Sequence, residues 1–326
     1  MANIWIPTMP ILPIPGLHTN WPVPVIYSNA VTPAVPLAQV ARPLEKATLR
    51  EDATWQWVST ADDVRELINS LERLPNEGPP SIYIDLEGVN LGRDGTVSIL
   101  QMYVLPYGRT YLVDVHTMKG EAFTTRGGGS GPGGNGCGDV LAGRAENGRT
   151  LKDILEDPNI KKVIFDVRHD SDALYAHFAV RLAGIEDLQL MELATRSFER
   201  TFLKGLSHCI QYDIPFQEWE NGNRSLNDWI AVKAKGRALF SPEYGGSFEV
   251  FNLRPLSDDI LRYCIEDVRL LPTLWKLYNS RLSPAWRGVV DAEVEYRICM
   301  SQSPDFKNSG EDMRRAPPGW DYLCVG

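Results

Sequence analysis

Between Ser81 and Leu190 the hydrophobic periodicity changes in an order that few folds accept. "SIYIDLE", "GTVSILQMYVL" and "GRTYLVDVH" are rich in β-branched and aromatic residues and read as strands. The connections are short, with "PYG" as the turn between the second and third runs, so the three should form an antiparallel meander. After them, "TLKDILEDP" reads as a helix with Thr150 as its N-cap, and "IKKVIFDV" as a buried strand. "SDALYAHFAV" reads as a helix and "GIEDLQLMEL" as a strand of mixed burial. Strand, helix, strand implies a parallel crossover. A meander running into a β-α-β unit predicts an α/β fold with one mixed sheet flanked by helices.

The flanks fit that centre. "TWQWVST" reads as a strand, with Thr60 capping the helix "ADDVRELINSLERL". From Glu192 to about Arg281 the pattern is mostly helical, interrupted by "SPEYGGSFEVFNLRPLS". Residues 1–50 hold nine of the 23 prolines and almost no charge, so an extended or disordered passive tail is expected. The folded domain is expected over 51–282, with a C-terminal extension over 283–326 that packs as an arm or trails as a tail. Residues 120–148 carry a glycine-rich run that lacks the GK[ST] ending of a phosphate-binding loop. They read as a disordered insertion.

Composition narrows the function classes. A formal charge of −9 argues against a general polyanion binder, so any nucleic-acid site must be a local basic patch. The five cysteines, Cys137, Cys209, Cys264, Cys299 and Cys324, are odd in number and widely spaced. That suits neither a disulfide framework nor a zinc site, and a reducing compartment is expected. No secretory leader or run of about 20 apolar residues is visible. An intracellular protein, nuclear or cytoplasmic, is the expectation.

Three acidic motifs remain. Asp85 and Glu87 are one residue apart on a strand, so both point to the same face. In "FDVRHDSDAL", Asp170 and Asp172 lie between a strand end and a helix start, where Asp170 could equally cap the helix. In "RYCIEDVRLL", Tyr263 and Asp267 are four apart, a turn apart on one helical face.

Taken in order, D-x-E on a strand, an Asp after a later strand and Y-x-x-x-D on a late helix resemble the DEDD superfamily of 3′–5′ exonucleases. "GTVSILQM" resembles that family's second strand, and "KKVIFDVRHDSDALY" its second motif. "RPLSDDILRYCIEDVRLLPTLW" is similar to its third. The histidine branch needs His where this chain has Arg262, so the tyrosine (DEDDy) branch fits better. The likeness runs from about Trp55 to Asn279, with ribonuclease D-like and Werner-type exonuclease domains as the nearest kinds. It implies an RNase H-like fold. It also implies a site of Asp85, Glu87, Asp170, Tyr263 and Asp267, with Asp172 the fallback for Asp170.

By the same resemblance, the four carboxylates Asp85, Glu87, Asp170 and Asp267 would hold two divalent cations. Hard oxygen donors suit Mg²⁺ or Mn²⁺. Such a pair would support hydrolysis at the 3′ end of single-stranded RNA or DNA, releasing 5′-mononucleotides, with Tyr263 orienting or helping to deprotonate the water. Lys233, Lys235 and Arg237, interleaved with Phe240, Tyr244, Phe248 and Phe251, could track a backbone and stack bases. Arg254 is a further candidate contact. Two other readings exist: a binding-only adaptor on the same fold, and a haloacid-dehalogenase-type phosphatase that uses "DLEGV" with Asp85 as nucleophile.

Overall fold

The computed structural model describes residues 54–75, 77–128, 148–221 and 225–322. The N-terminal proline-rich segment and the centre of the glycine-rich run lie outside the described residues, so those two readings stand as expectations.

Strand β1 (Trp55–Val58) leads to helix α1 (Ala61–Leu71). Thr60 caps it in a reciprocal box: its side chain accepts from the Asp63 amide, and the Asp63 carboxylate accepts from its own. The meander follows as β2 (Ile82–Glu87), β3 (Ile99–Val104) and β4 (Arg109–Val113), with Gly108 at φ 59° closing the last turn. Then come short helices α2 (Val115–Met118), α3 (Glu121–Thr124) and α4 (Leu151–Glu156), strand β5 (Lys162–Ile164), helix α5 (Val167–Phe178) and strand β6 (Ile185–Asp187). Helices α6 (Leu188–Thr195), α7 (Leu206–Asp213), α8 (Phe216–Asn221), α9 (Leu226–Phe240), α10 (Asp258–Arg269), α11 (Leu271–Arg281) and α12 (Pro284–Ser301) complete the chain.

The sheet runs β1-β4-β3-β2-β5-β6. β2, β3 and β4 pair antiparallel, while β1–β4, β2–β5 and β5–β6 are parallel. This is the mixed α/β sheet that the periodicities predict. Alternation on the meander then sorts two faces. Ile82, Ile84 and Leu86 enter the main core beneath α1, α4 and α5. Tyr83, Asp85 and Glu87 share the other face with their register partners Tyr103, Gln101 and Ile99. Ile99 and Leu112 there pack under α10 through Ile260, Leu261 and Cys264. So the two-residue period that buries β2 also aims its two carboxylates at one helix.

Three local expectations give way. Only Ile185–Asp187 of "GIEDLQLMEL" is strand; the rest is α6, which starts where the Asp187 carboxylate accepts the Gln189 and Leu190 amides. Residues 188–194 are all buried, and an apolar run buried all round carries no period that separates helix from strand. Helix α5 starts at Val167, so Asp170 sits inside its first turn and Asp166 holds the N-cap position. At the edge of the glycine-rich run, α3 is ordered, with Ala122 and Phe123 in the core, and the Gly127 amide bonds Arg149 O at 2.8 Å. Beyond residue 282, α12 packs on α5, α6 and β6. Cys209, Cys264 and Cys299 are free thiols. Among the described residues, no helix is long and apolar enough to cross a membrane.

Candidate active site

Three carboxylates converge. Asp85 and Glu87 from the end of β2 and Asp267 from α10 each offer an oxygen, all within 4.8 Å of one another. With the Gln101 amide assigned so that its nitrogen faces Asp85, opposite it on β3, that nitrogen donates to the Asp85 Oδ2 at 2.9 Å and to its main-chain oxygen at 3.1 Å. Asp170 is 4% exposed and lies close enough to Asp85 and Glu87 to feel their charges, without joining the tight cluster. Asp172 faces away: its Oδ1 accepts from Arg93 Nε at 2.7 Å and its Oδ2 from the Arg93 amide at 2.9 Å. The fallback position is thus committed to a structural ion pair.

Helix α10 carries the third motif. Ser257 caps it, and Ile260, Leu261, Cys264 and Val268 anchor its buried face, which brings Asp267 over β2. Tyr263, one turn earlier, is partly buried, and Phe240 meets its ring edge-on at 5.0 Å. Helix α9 lies against it so closely that a Cβ on Gly236 would stand 2.5 Å from Tyr263 Cδ2. Glycine is what allows this approach. One turn before Gly236, the Lys233 ammonium sits 3.2 Å from the centre of the Tyr263 ring and bonds Asp267 Oδ1. Among the described residues, Asp267 Oδ2 is buried without a hydrogen-bond partner.

The electrostatics follow from this crowding. Burial, then the charge of Asp267, pushes the Asp85 carboxyl up to about 8, with Lys233 partly offsetting. Burial, then the charges of Asp267 and Asp85, hold Glu87 well above the usual carboxylate range, with Lys233 again partly offsetting. Asp170 is raised by burial, then by Asp85, Asp166 and Glu87. Burial also raises Asp267, against the pull of Lys233. Tyr263 is held well above the ordinary phenol value by burial and by the surrounding carboxylates. Without a cation beyond Lys233, this cluster favours holding protons.

An open cleft of ≈ 1240 Å³ leads to Tyr263 and Asp267. The α7 end, with Leu206, Ser207 and Gln211, forms one wall; Lys233, Arg237 and Tyr244 lie on the other. Tyr244 is 61% exposed, and the Arg237 guanidinium stands 5.3 Å over its ring. The remaining candidates lie elsewhere. Lys235 is exposed and does not line the cleft. Phe251 is buried behind the wall, whereas Phe240 and Phe248, stacked at 5.9 Å, line the cleft. Arg254 does not reach the cleft either. Its guanidinium is bound to Asp114 at 2.6 Å and to the carbonyls of Phe251 and Leu253 at 2.8 Å. The nucleic-acid contact expected there gives way to a tether between α2 and the loop before α10. Gln101 went unnoticed in the sequence, although its place opposite Asp85 follows once the meander is in register. The link from Lys233 to Asp267 has no local signal.

The 3′–5′ exonuclease family model matches residues 55–282. The chain belongs to the 3′–5′ exonuclease family. The exonuclease is similar in structure to ribonuclease D of Trypanosoma brucei, at 20% identity, covering 82% of this chain and 80% of that one, with a TM-score of 0.58. The complex of the T. brucei enzyme with RNA U12 gives 18% identity, 82% and 77% coverage and a TM-score of 0.57. Its GMP complex gives 21%, 82% and 70%, and 0.57. At these identities the likeness speaks for the fold. No curated protein matches the sequence. As a family member the exonuclease is a metal-dependent hydrolase of nucleic acid, working from 3′ ends. The binding-only and phosphatase readings are set aside.

Proposed function

We propose that the exonuclease removes 5′-mononucleotides from single-stranded 3′ ends, using two divalent cations, Mg²⁺ or Mn²⁺, held by Asp85, Glu87, Asp170 and Asp267. The observation that carries this is the cluster of three carboxylates within 4.8 Å at the head of an open cleft. The donor set fits a hard dication: every proposed ligand is a carboxylate oxygen, and Asp267 Oδ2 is buried with no hydrogen-bond partner among the described residues. When bound, such cations supply the Lewis acidity that activates a water and offsets charge on the leaving 3′ oxygen. The chain does the rest. Gln101 fixes the Asp85 carboxylate. Tyr263, raised far above neutral pH, stays a phenol, so its part is to donate a hydrogen bond that orients the water rather than to take its proton. Arg237 and Tyr244 form a cation and an exposed ring on the cleft wall, suited to a phosphate and a base of the same strand.

The test is a ladder assay on 5′-labelled RNA and DNA oligonucleotides of matched sequence, with Mg²⁺, Mn²⁺ or EDTA. Stepwise shortening from the 3′ end, lost in EDTA and in a folded Asp267→Ala variant, is the expected result. Shortening that survives either would sink the assignment. The RNA and DNA arms decide the sugar preference.

A further inference from the structure

Asp170 is buried, yet no hydrogen bond or ion pair to its carboxylate is found among the described residues. Its direction therefore depends on the backbone of one helical turn. That turn begins with a backbone kink. Asp166 has φ 65°, a conformation uncommon for a residue with a side chain although Asp adopts it more readily than most. Several contacts hold it there. Arg168 forks onto both Asp166 carboxylate oxygens at 2.7 Å. Asp187, 0% exposed, accepts the amides of Asp166 at 3.1 Å and Val167 at 3.2 Å, while also capping α6. One buried carboxylate thus starts two helices.

The cation that balances Asp187 comes from far along the chain. Arg297 of α12, 4% exposed, donates to Asp187 Oδ2 at 2.8 Å, to Gln189 Oε1 at 3.0 Å and to Asp166 Oδ1 at 3.4 Å. Other links reach the same turn from the same segment. Ser301 Oγ meets Ser171 Oγ at 2.9 Å, and Arg168 donates to Met313 O at 2.9 Å. Arg93 holds Asp172 and also donates to Ser301 O at 2.6 Å. Residues 168, 171 and 172, on both sides of Asp170, are tied to a segment that lies beyond the family match, which ends at residue 282.

We propose that Arg297 is a positioning residue for Asp170, so that the segment after residue 282 is part of the metal site rather than an appendage. This rests on the reading of Asp170 as a metal ligand. Arg297 neutralises the carboxylate that caps α5, and so fixes the one turn that aims Asp170 at Asp85 and Glu87. A residue that orients a metal ligand typically alters metal affinity by about 10–100-fold.

The experiment uses the full chain. Arg297→Met, Arg297→Lys, Ser301→Ala and Asp170→Asn are compared for circular dichroism, for Mn²⁺ binding by titration calorimetry, and for the Mg²⁺ concentration giving half-maximal activity. Arg297→Met is expected to remain folded, to bind Mn²⁺ about tenfold more weakly, and to recover part of its rate when Mg²⁺ is raised. Arg297→Lys should recover part of the affinity, and Ser301→Ala should show a smaller loss. Folded Arg297→Met with wild-type Mn²⁺ affinity overturns the proposal. Should Arg297→Met not fold, unchanged affinity in both Arg297→Lys and Ser301→Ala overturns it instead. Asp170→Asn separates the two claims. If it binds Mn²⁺ as wild type does, the ligand assignment fails; if it weakens binding and the Arg297 variants do not, only the positioning role fails.

Discussion

At the scale of single residues, the site is built against its own stability. Asp85, Glu87 and Asp267 crowd within 4.8 Å, and among the described residues only Lys233 is bonded to them as a cation. Replacing Asp85 by Asn removes a carboxyl that the metal-free protein must protonate, or hold charged beside its neighbours, in order to fold. Asp85→Asn is expected to abolish nuclease activity while stabilising the metal-free protein by on the order of 1 kcal/mol. Urea unfolding in EDTA, beside the ladder assay, checks both halves; a destabilised variant contradicts the repulsion argument. The pH dependence has a definite sign. A carboxyl raised in the folded state binds protons on folding, so the metal-free protein loses stability as pH rises from 3.8 to about 8, the ordinary and folded values for Asp85. Melting curves in EDTA across that range should fall, and saturating Mg²⁺ should restore the midpoint most at the alkaline end. A flat or rising EDTA series would contradict the raised carboxyls.

At the scale of elements, legibility followed periodicity. β2 could be read because alternation places Asp85 and Glu87 on one face, and α10 because a four-residue step places Tyr263 above Asp267. α6 could not, since its residues 188–194 are buried on every side. The spacing between α9 and α10 was equally hidden: Gly236 looks like any helical glycine until Tyr263 is found against it. Alanine is normally worth about 1 kcal/mol to a helix interior relative to glycine. Here the added methyl meets the Tyr263 ring at 2.5 Å and its Cβ at 2.6 Å. Overpacking of that kind costs about 1–3 kcal/mol. Gly236→Ala should therefore lower the melting temperature and displace Tyr263, cutting the rate more than the Mn²⁺ affinity. A melting temperature at or above wild type would show that α9 can move away without loss.

For the whole molecule, an acidic chain of net charge −9 must hold a polyanion through a small local field. The sequence pointed to four basic residues, and the fold divides them. Lys233 turns to Asp267, Arg254 to Asp114, Lys235 to open solvent, and Arg237 to the cleft. No local pattern reports such long-range pairing, which is why the clustering of basic residues in the sequence overstated the patch. With few phosphate contacts, substrate binding should depend only mildly on salt. Each contact adds about −0.7 to the log–log slope for a single strand. Arg237→Ala is expected to flatten the slope by about that amount and to weaken RNA or DNA binding without sequence preference. Fluorescence anisotropy from 50 to about 200 mM salt measures it; an unchanged slope removes Arg237 from the substrate path.

Lys233 gives the resting enzyme one more property. Its ammonium already lies against Asp267, on top of the Tyr263 ring. With Asp267 as a metal ligand, as proposed, loading the site would be an ion exchange: an arriving dication would compete with a tethered monovalent one for the same oxygen. The tether cannot diffuse away, so it returns whenever the dication leaves. Lys233 would then offset part of the carboxylate repulsion, and hold α9 to α10 through Asp267, between one loading and the next.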